Sequence, residues 1–209
     1  MPASIRTNVT VGMQLHDQVV SLSRWTDVEH RFVLRTNPDV ATLTAGEFCE
    51  PEVRHDPRSS FPAPSDAHWD RMQANYFVGY AIWNYLTTPY LFTFPSVRTF
   101  EMEPWIDDGR RWRRLGVHFP ATITTHSRRR VFYFDDTGLL QRLHYRVEVA
   151  GGSAAAHYVG EYLEVDGLKF PTRRVVYPRR ADNTPDRETY AASGGAVIRV
   201  AIDDIMVKT

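Results

Sequence analysis

The chain has little cysteine, little lysine and no excess charge of either sign. Cys49 is the only cysteine among 209 residues, which excludes an internal disulfide framework and predicts a small residue of a strand or of the core at that position. Lysine occurs only at Lys169 and Lys208, so arginine supplies nearly all of the basic side chains. The 25 basic and 25 acidic residues cancel, and no overall field would draw the chain onto nucleic acid or an anionic membrane.

The sequence also lacks the short motifs that mark cofactor and metal sites. There is no glycine-rich phosphate loop, no dinucleotide fingerprint and no G-x-S-x-G nucleophile turn, and we therefore expect no cofactor. None of the eight histidines falls in a metal-binding spacing, so no metal site is expected. Residues 1–30 lack the basic segment and unbroken apolar run of a secretory signal, which predicts a cytoplasmic protein.

The pattern of apolar residues predicts one domain over residues 1–209, of the α+β class. Alternating apolar and polar residues indicate a meander of short strands in 1–54, and hairpins with Asp-Gly turns fill 97–209. Between them, the pattern of 65–95 predicts a helix followed by a lid. A sheet of about nine to eleven antiparallel strands would curl, so we predict a strongly curved β half-barrel whose concave face is covered by the helix.

The segment 75–95 carries eight aromatic side chains and no charge, which fits a membrane anchor, a buried helix or the wall of a pocket. Pro89 and Pro95 make the apolar run too short for stable membrane insertion, and the pattern predicts a helix from an N-cap at Ser65 to about Thr87. Aromatic residues cover more than one side of that helix. Its second face therefore needs a cover, which is the following "PYLFTFP", a ligand, or a second subunit in a homodimer.

Three strand residues form the candidate catalytic group. His157 lies on the apolar face of its strand, where burial would keep the imidazole neutral and available as a base, or where it simply bonds to backbone. Tyr145 and Arg174 share the inward parity of the neighbouring strands, and a buried Arg174 would need a carboxylate, a carbonyl or a ligand anion. If the parity slips at Pro171, Arg173 takes that role instead. By the same alternation, Arg142 and His144 are predicted to point to water.

The candidate ligand-binding residues come from the helix, from one loop and from the strand of His157. Tyrosine and tryptophan combine an apolar body with a polar tip, which is typical of a small-molecule pocket. His126 ends a strand near the predicted mouth of the barrel, with a surface histidine as the alternative, and Glu161 is predicted to share the face of His157 and orient it. The predicted ligand-binding set is Trp69, Tyr76, Tyr80, Trp83, Asn84, His126 and Glu161.

Several phrases of the sequence resemble one known family. The hairpins "FYFDDTGLLQRLHYRVEV" and "HYVGEYLEVDGLKFPTRRVVYPR", with the closing "VIRVAIDDIMV", resemble the second half of the bacterial lipoprotein-carrier (LolA-like) half-barrels. The phrases "YFVGYAIWNYLTTPY" and "EPWIDDGRRWRRLGVHFP" resemble uncharacterised bacterial proteins of the same architecture. Over residues 65–209 the resemblance implies an incomplete curved barrel around a hydrophobic cavity, lidded by helix, that binds acyl or other apolar molecules.

Two hypotheses of function follow from these observations. In the first, the cavity binds a medium-sized apolar or aromatic small molecule and promotes its cyclisation, isomerisation or elimination without a cofactor, through positioning and acid/base catalysis. In the second, the same pocket belongs to a non-catalytic carrier or binding protein for a hydrophobic ligand or lipid. The sequence leaves open which of the two applies.

Overall fold

The computed structural model describes residues 9–12, 18–22, 32–45, 49–63, 68–107, 109–191, 194–203 and 205–207. Within these ranges, one α-helix, α1, spans Arg71–Thr87, and short 3-10 helices occupy Tyr90–Thr93 and Glu148–Ala150. The strands are β1 Val9–Gly12, β2 Gln18–Leu22, β3 Phe32–Thr36, β4 Val40–Ala45, β5 Glu52–His55, β6 Arg98–Asp107, β7 Arg110–His118, β8 Arg129–Phe134, β9 Leu140–Val147, β10 Ser153–Val165, β11 Leu168–Pro178 and β12 Ile198–Ala201.

The first five strands form an antiparallel meander in the order β1-β2-β3-β4-β5. Its register places Val20 opposite Leu34 and Leu34 opposite Leu43, and all three side chains are buried. Alternation along the strands therefore builds one apolar face, as the sequence predicts, although β2 was not predicted as a strand of its own. The prediction for Cys49 is wrong, because its side chain is exposed and the residue lies outside the strands.

The other seven strands form an antiparallel sheet in the order β12-β11-β10-β9-β8-β7-β6. Its hairpins turn at Gly109, Gly138 and Gly167, whose positive φ angles of 71°, 82° and 76° are the conformation for which glycine is needed. Neither sheet closes on itself. The predicted fold class is confirmed: two open antiparallel sheets and one α-helix make an α+β half-barrel, with twelve strands in the described ranges.

The helix α1 lies between the two sheets. It begins after Asp70, whose carboxylate accepts a hydrogen bond from the Gln73 N–H at 2.9 Å, while the Gln73 side chain accepts one from the Asp70 N–H at 2.8 Å. The predicted N-cap Ser65 lies outside the described residues. On the side of the first sheet, the Trp83 indole donates to the Gly12 carbonyl at 2.7 Å, and Gly79 lets the helix backbone approach β3 closely.

A lid formed by residues 88–95 follows the helix and folds back over the seven-stranded sheet. Leu91 is fully buried, and the Phe92 ring lies 4.6 Å from the ring of Phe132 and 6.4 Å from that of Phe119. The Phe94 ring lies 6.4 Å from Trp83. The lid and the two sheets therefore provide the cover that the aromatic helix requires. Within the described ranges, no helix has the length and apolarity to cross a membrane.

Candidate functional site

A group of polar side chains lies buried where α1 faces the seven-stranded sheet, and we call it the inner cluster. Alternation along β8, β9, β10 and β11 directs one member from each strand toward the helix, among apolar neighbours such as Phe132 and Leu143. The helix and the loop 119–128 supply the rest. The inner cluster consists of Tyr80, Tyr85, His126, Arg130, Tyr145, His157 and Arg174.

The tyrosines and histidines of the inner cluster are in mutual contact. The Tyr145 hydroxyl lies 3.3 Å from Nδ1 of His157, and the Tyr85 hydroxyl lies 3.5 Å from Nε2 of His126. The His126 ring stacks on Tyr145 with centroids 4.6 Å apart, and Tyr85 meets His157 edge-on at 4.8 Å. The four rings form one continuous polar chain in an apolar setting.

Both histidines of the inner cluster, His126 and His157, are neutral at physiological pH. Burial lowers the pKa of His157 well below its ordinary value, and the positive charges of Arg174 and Arg130 lower it further. Burial also lowers the pKa of His126 well below its ordinary value, and the positive charges of Arg130 and Arg58 lower it further. Burial raises the pKa of Tyr145 well above its ordinary value. The imidazoles are thus available as neutral acceptors or donors, while the phenols keep their protons.

Two arginines of the inner cluster are buried with no carboxylate partner in the described part of the chain. Arg130 and Arg174 are only 3% and 2% exposed, and burial is the main cause that lowers the pKa of each to about 10. Arg174 donates to the Tyr85 carbonyl and lies over the Tyr85 ring at 5.0 Å. Arg130 lies over the Tyr145 ring at 5.4 Å and donates to the Ser127 carbonyl at 3.3 Å. Aromatic faces and carbonyls are their partners instead of acidic side chains.

Five buried polar atoms of the inner cluster have no hydrogen-bond partner among the residues that the structure describes. Buried polar groups are nearly always paired, so a concentration of exceptions at one place is informative. Each of the five belongs to a different residue, and together they involve both arginines and both histidines. They are the Tyr80 hydroxyl, Nδ1 of His126, Nε2 of His157, Nη2 of Arg130 and Nε of Arg174.

Five of the ten predicted site residues meet at the inner cluster. His157, Tyr145, Arg174, His126 and Tyr80 belong to it. Of the remaining residues, Tyr76 packs edge-on against Tyr80 at 5.2 Å, and Asn84 donates to the carbonyl of Thr124 in the adjoining loop at 2.9 Å. Trp83 faces the first sheet instead, and Trp69 precedes the helix, where it packs on Phe61 at 5.0 Å and Phe77 at 5.0 Å.

Glu161 does not orient His157 as predicted. Its φ of +53° marks a local irregularity between the pairs Gly160–Arg173 and Tyr162–Pro171, where Glu161 and Thr172 are not paired although the register is the same on both sides. The prediction depended on regular extended backbone, which a positive φ interrupts. Glu161 is exposed and forms an ion pair with Arg173 at 2.9 Å.

His126 is buried, at 1% exposure, and the surface alternative is excluded. The alternation of side chains along a strand cannot predict the orientation of a loop residue. Tertiary contacts determine the position of the loop 119–128. The Gln18 amide bonds both the N–H and the carbonyl of Thr124, at 2.6 and 2.9 Å. Arg58 donates to the carbonyls of Thr125 and His126 at 3.0 and 3.2 Å. These contacts press the loop against α1 and direct His126 inward.

Two members of the inner cluster, Arg130 and Tyr85, were not predicted as site residues. Arg130 has the inward parity of Phe132, which is a sequence signal, but its position in "RRR" suggests a solvated face. Tyr85 could be recognised only as a member of an apolar helix. Its contact with Arg174 depends on how the helix lies on the sheet.

The prediction that Arg142 and His144 point to water is wrong, because both are only 5% exposed. They form an outer cluster with Tyr133 and Tyr158 on the opposite face of the sheet, beneath residues 179–191. The Arg142 guanidinium lies 5.3 Å from the Tyr133 ring and 5.0 Å from Tyr158, and it donates to Nε2 of His144 at 2.7 Å. Burial lowers the pKa of His144 to about 2.

A small cavity of about 120 Å³ adjoins the outer cluster, lined by Asp107, Trp112, Tyr133, Gln141, Arg142, Tyr158 and Val159. A larger surface groove of about 420 Å³ lies at the end of the sheet nearest His126. It is lined by His118, Ser127, Arg128, Arg129, Arg146 and Glu148. Among the described residues, no three acidic, histidine or cysteine side chains come together as a metal site would require.

The two open sheets, with a helix and lid between them, form a half-barrel that is similar in fold to solved LolA-like structures, in agreement with the resemblance of the hairpin phrases. A LolA superfamily protein from Nitrosomonas europaea is similar at 8% identity and a TM-score of 0.49, over 85% of this chain and 71% of that one. A DUF1329 family protein from Desulfovibrio piger is similar at 16% identity and a TM-score of 0.46, over 82% and 69%. No protein-family model and no curated protein matches the chain.

A third similar structure corrects the predicted location. It is a domain from Vibrio parahaemolyticus named for outer membrane lipoprotein sorting, 9% identical with a TM-score of 0.44 over 91% of this chain and 73% of that one. The cytoplasmic location inferred from residues 1–30 is contradicted by this structure and by the LolA superfamily protein, and we withdraw it. The likeness itself concerns the fold alone.

Proposed function

We propose that the protein binds an amphiphilic molecule with an apolar chain on the inner face of the seven-stranded sheet, as a carrier or binding protein. The observation that carries the proposal is the lid, which supplies Leu91 and Phe92 to a sheet face that its own side chains do not cover. A ligand of similar chemistry can displace a separate segment that covers such a face. The LolA-like fold agrees with this proposal.

The attachment of the lid supports such an exchange. The Tyr90 hydroxyl accepts from the Lys169 N–H at 2.7 Å and donates to the Lys169 carbonyl at 2.9 Å, and these bonds lie at an exposed position. Phe92 is only partly buried, although its partners Phe119 and Phe132 are fully buried. Burying an aromatic side chain stabilises a protein by about 1.5–3 kcal/mol, and an acyl chain on Phe119 and Phe132 would recover a similar amount. The lid and an acyl chain would therefore bind this face with similar free energies.

Binding of an uncharged fluorescent probe tests the proposal. A dodecyl chain linked to a neutral fluorophore should bind to the purified protein, with fluorescence enhancement that saturates. Phe92→Ala vacates part of the site and should tighten binding several-fold, whereas Phe100→Ala should leave it unchanged because Phe100 is exposed on β6. Absence of saturable binding to both wild type and Phe92→Ala would overturn the proposal.

A second candidate function is the cofactor-free catalysis predicted from the sequence, and one observation favours it. His157 is neutral, its Nδ1 contacts the Tyr145 hydroxyl, and its Nε2 has no partner, which is the arrangement of a base held ready for a substrate proton. Cyclisation, isomerisation or elimination of a bound molecule would use this proton transfer, with Arg174 polarising a carbonyl.

Mass spectrometry of a compound retained from host extract distinguishes the two functions. Chemical change of that compound on incubation, lost in both His157→Ala and Tyr145→Phe, supports the enzyme. Retention of the unchanged compound supports the carrier.

A further inference from the structure

We infer that the ligand carries an acidic headgroup, a carboxylate or a phosphate, which binds between Arg130 and Arg174 in the inner cluster. The inference rests on the proposed function and names the class of ligand that the site takes.

The inner cluster contains two buried positive charges, those of Arg130 and Arg174. Arg130 and Arg174 are 3% and 2% exposed, and the buried polar residues of the described ranges include no aspartate and no glutamate. A buried cation is costly unless an anion pairs with it, and contact with the faces of Tyr85 and Tyr145 offsets only part of that cost. The inner cluster thus holds positive charge that the described protein does not neutralise.

The unpaired atoms of the inner cluster are mainly hydrogen-bond donors. Nη2 of Arg130 and Nε of Arg174 can only donate, because guanidinium has no acceptor. The Tyr80 hydroxyl is also unpaired and can donate. The unpaired ring nitrogens of His126 and His157 can donate or accept, according to the tautomer. A site with several donors and no acidic acceptor is suited to the oxygens of an anion.

A groove with basic residues lies at the same end of the sheet as His126. Ser127 lines this groove of about 420 Å³, and the preceding residue, His126, belongs to the inner cluster, so the groove and the cluster both contain residues of the loop 119–128. Arg128 and Arg129 also line the groove and are exposed. Their field would concentrate anions at this edge of the sheet.

A matched series of twelve-carbon ligands tests the inference: dodecanoate, dodecyl phosphate, dodecanol and dodecyltrimethylammonium, each used below its micellar concentration. Each competes with the uncharged fluorescent probe for the full chain. We expect at least one of the two anions to bind about tenfold or more tightly than dodecanol, and the cation to bind most weakly. The better anion identifies the headgroup as carboxylate or phosphate.

Two variants connect that preference to the buried arginines. Arg174→Met and Arg130→Met keep much of the side-chain volume without the charge, and each should reduce the preference for the anion to less than about threefold while the neutral probe still binds. Arg173→Met is the matched control, because Arg173 is the preceding residue of β11 and is exposed. It should keep the full preference. If one methionine variant fails to fold, the other still provides the test.

The outcomes separate the two proposals. Equal affinity of wild type for dodecanol and both anions overturns the acidic headgroup and leaves the binding function intact. An anion preference that persists in both methionine variants also overturns the acidic-headgroup site, because residues other than Arg130 and Arg174 would then bind the anion. Failure of the neutral probe and of every ligand in the series overturns the proposed function itself.

Discussion

Three buried histidines predict that the fold loses stability on mild acidification. Burial lowers the pKa of His126, His144 and His157, for His144 to about 2. In the unfolded chain each would take a proton near pH 6.5, whereas the folded chain cannot. Stability from these groups is therefore complete above about pH 6.5 and falls as the pH falls below it. At pH 5.5 each histidine costs about 1.4 kcal/mol, so three cost about 4 kcal/mol, a large part of a typical 5–15 kcal/mol.

Urea unfolding followed by far-UV circular dichroism at pH 7.5 and pH 5.5 measures this loss. The extrapolated free energies should differ by about 4 kcal/mol, and unfolding at pH 5.5 should take up close to three protons. His157→Gln should lower the proton uptake by about one, provided that the variant folds at pH 7.5. Coincident unfolding curves at the two pH values would refute the reasoning, because they would mean that the folded protein protonates these imidazoles as readily as the unfolded chain.

Three substitutions test the packing of the helix and sheets by chemical denaturation. Asp70→Ala removes the capping box of α1 and should cost about 1 kcal/mol; no change would mean that the cap is not formed in solution. Phe132→Ala should cost about 3–5 kcal/mol because the side chain is fully buried, whereas Phe100→Ala, at 56% exposure, should cost far less; equal losses would contradict the placement of β8. Gly79→Leu should cost about 1–3 kcal/mol because a Cβ there would lie 3.1 Å from a side chain of β3, while Gly160→Ala has open space; a stabilised Gly79→Leu would show that helix and sheet are not in contact.

Local patterns in the sequence determined the elements of this fold. Alternation along β3 and β4 and the glycines after Asp135 and Asp166 depend only on the pleat of a strand and on the φ angle of a turn. The helix end at Thr87 follows from the proline two residues later, which cannot continue a helix. The inward parity of Tyr145, His157 and Arg174 followed from the same period of two. These features could be predicted because each depends on a few neighbouring residues.

Only the tertiary structure decided which polar side chains are buried. Arg142 and His144 have the outward parity of β9 and are buried because residues 179–191 cover that face. His126 is buried because Gln18 and Arg58, more than 60 residues away in the chain, hold its loop against the helix. The positive φ of Glu161 interrupts the regular strand, and the prediction for this residue from alternation is wrong. A strand's period assigns a side chain to one face of a sheet, but what covers that face depends on segments distant in sequence, which no local pattern contains.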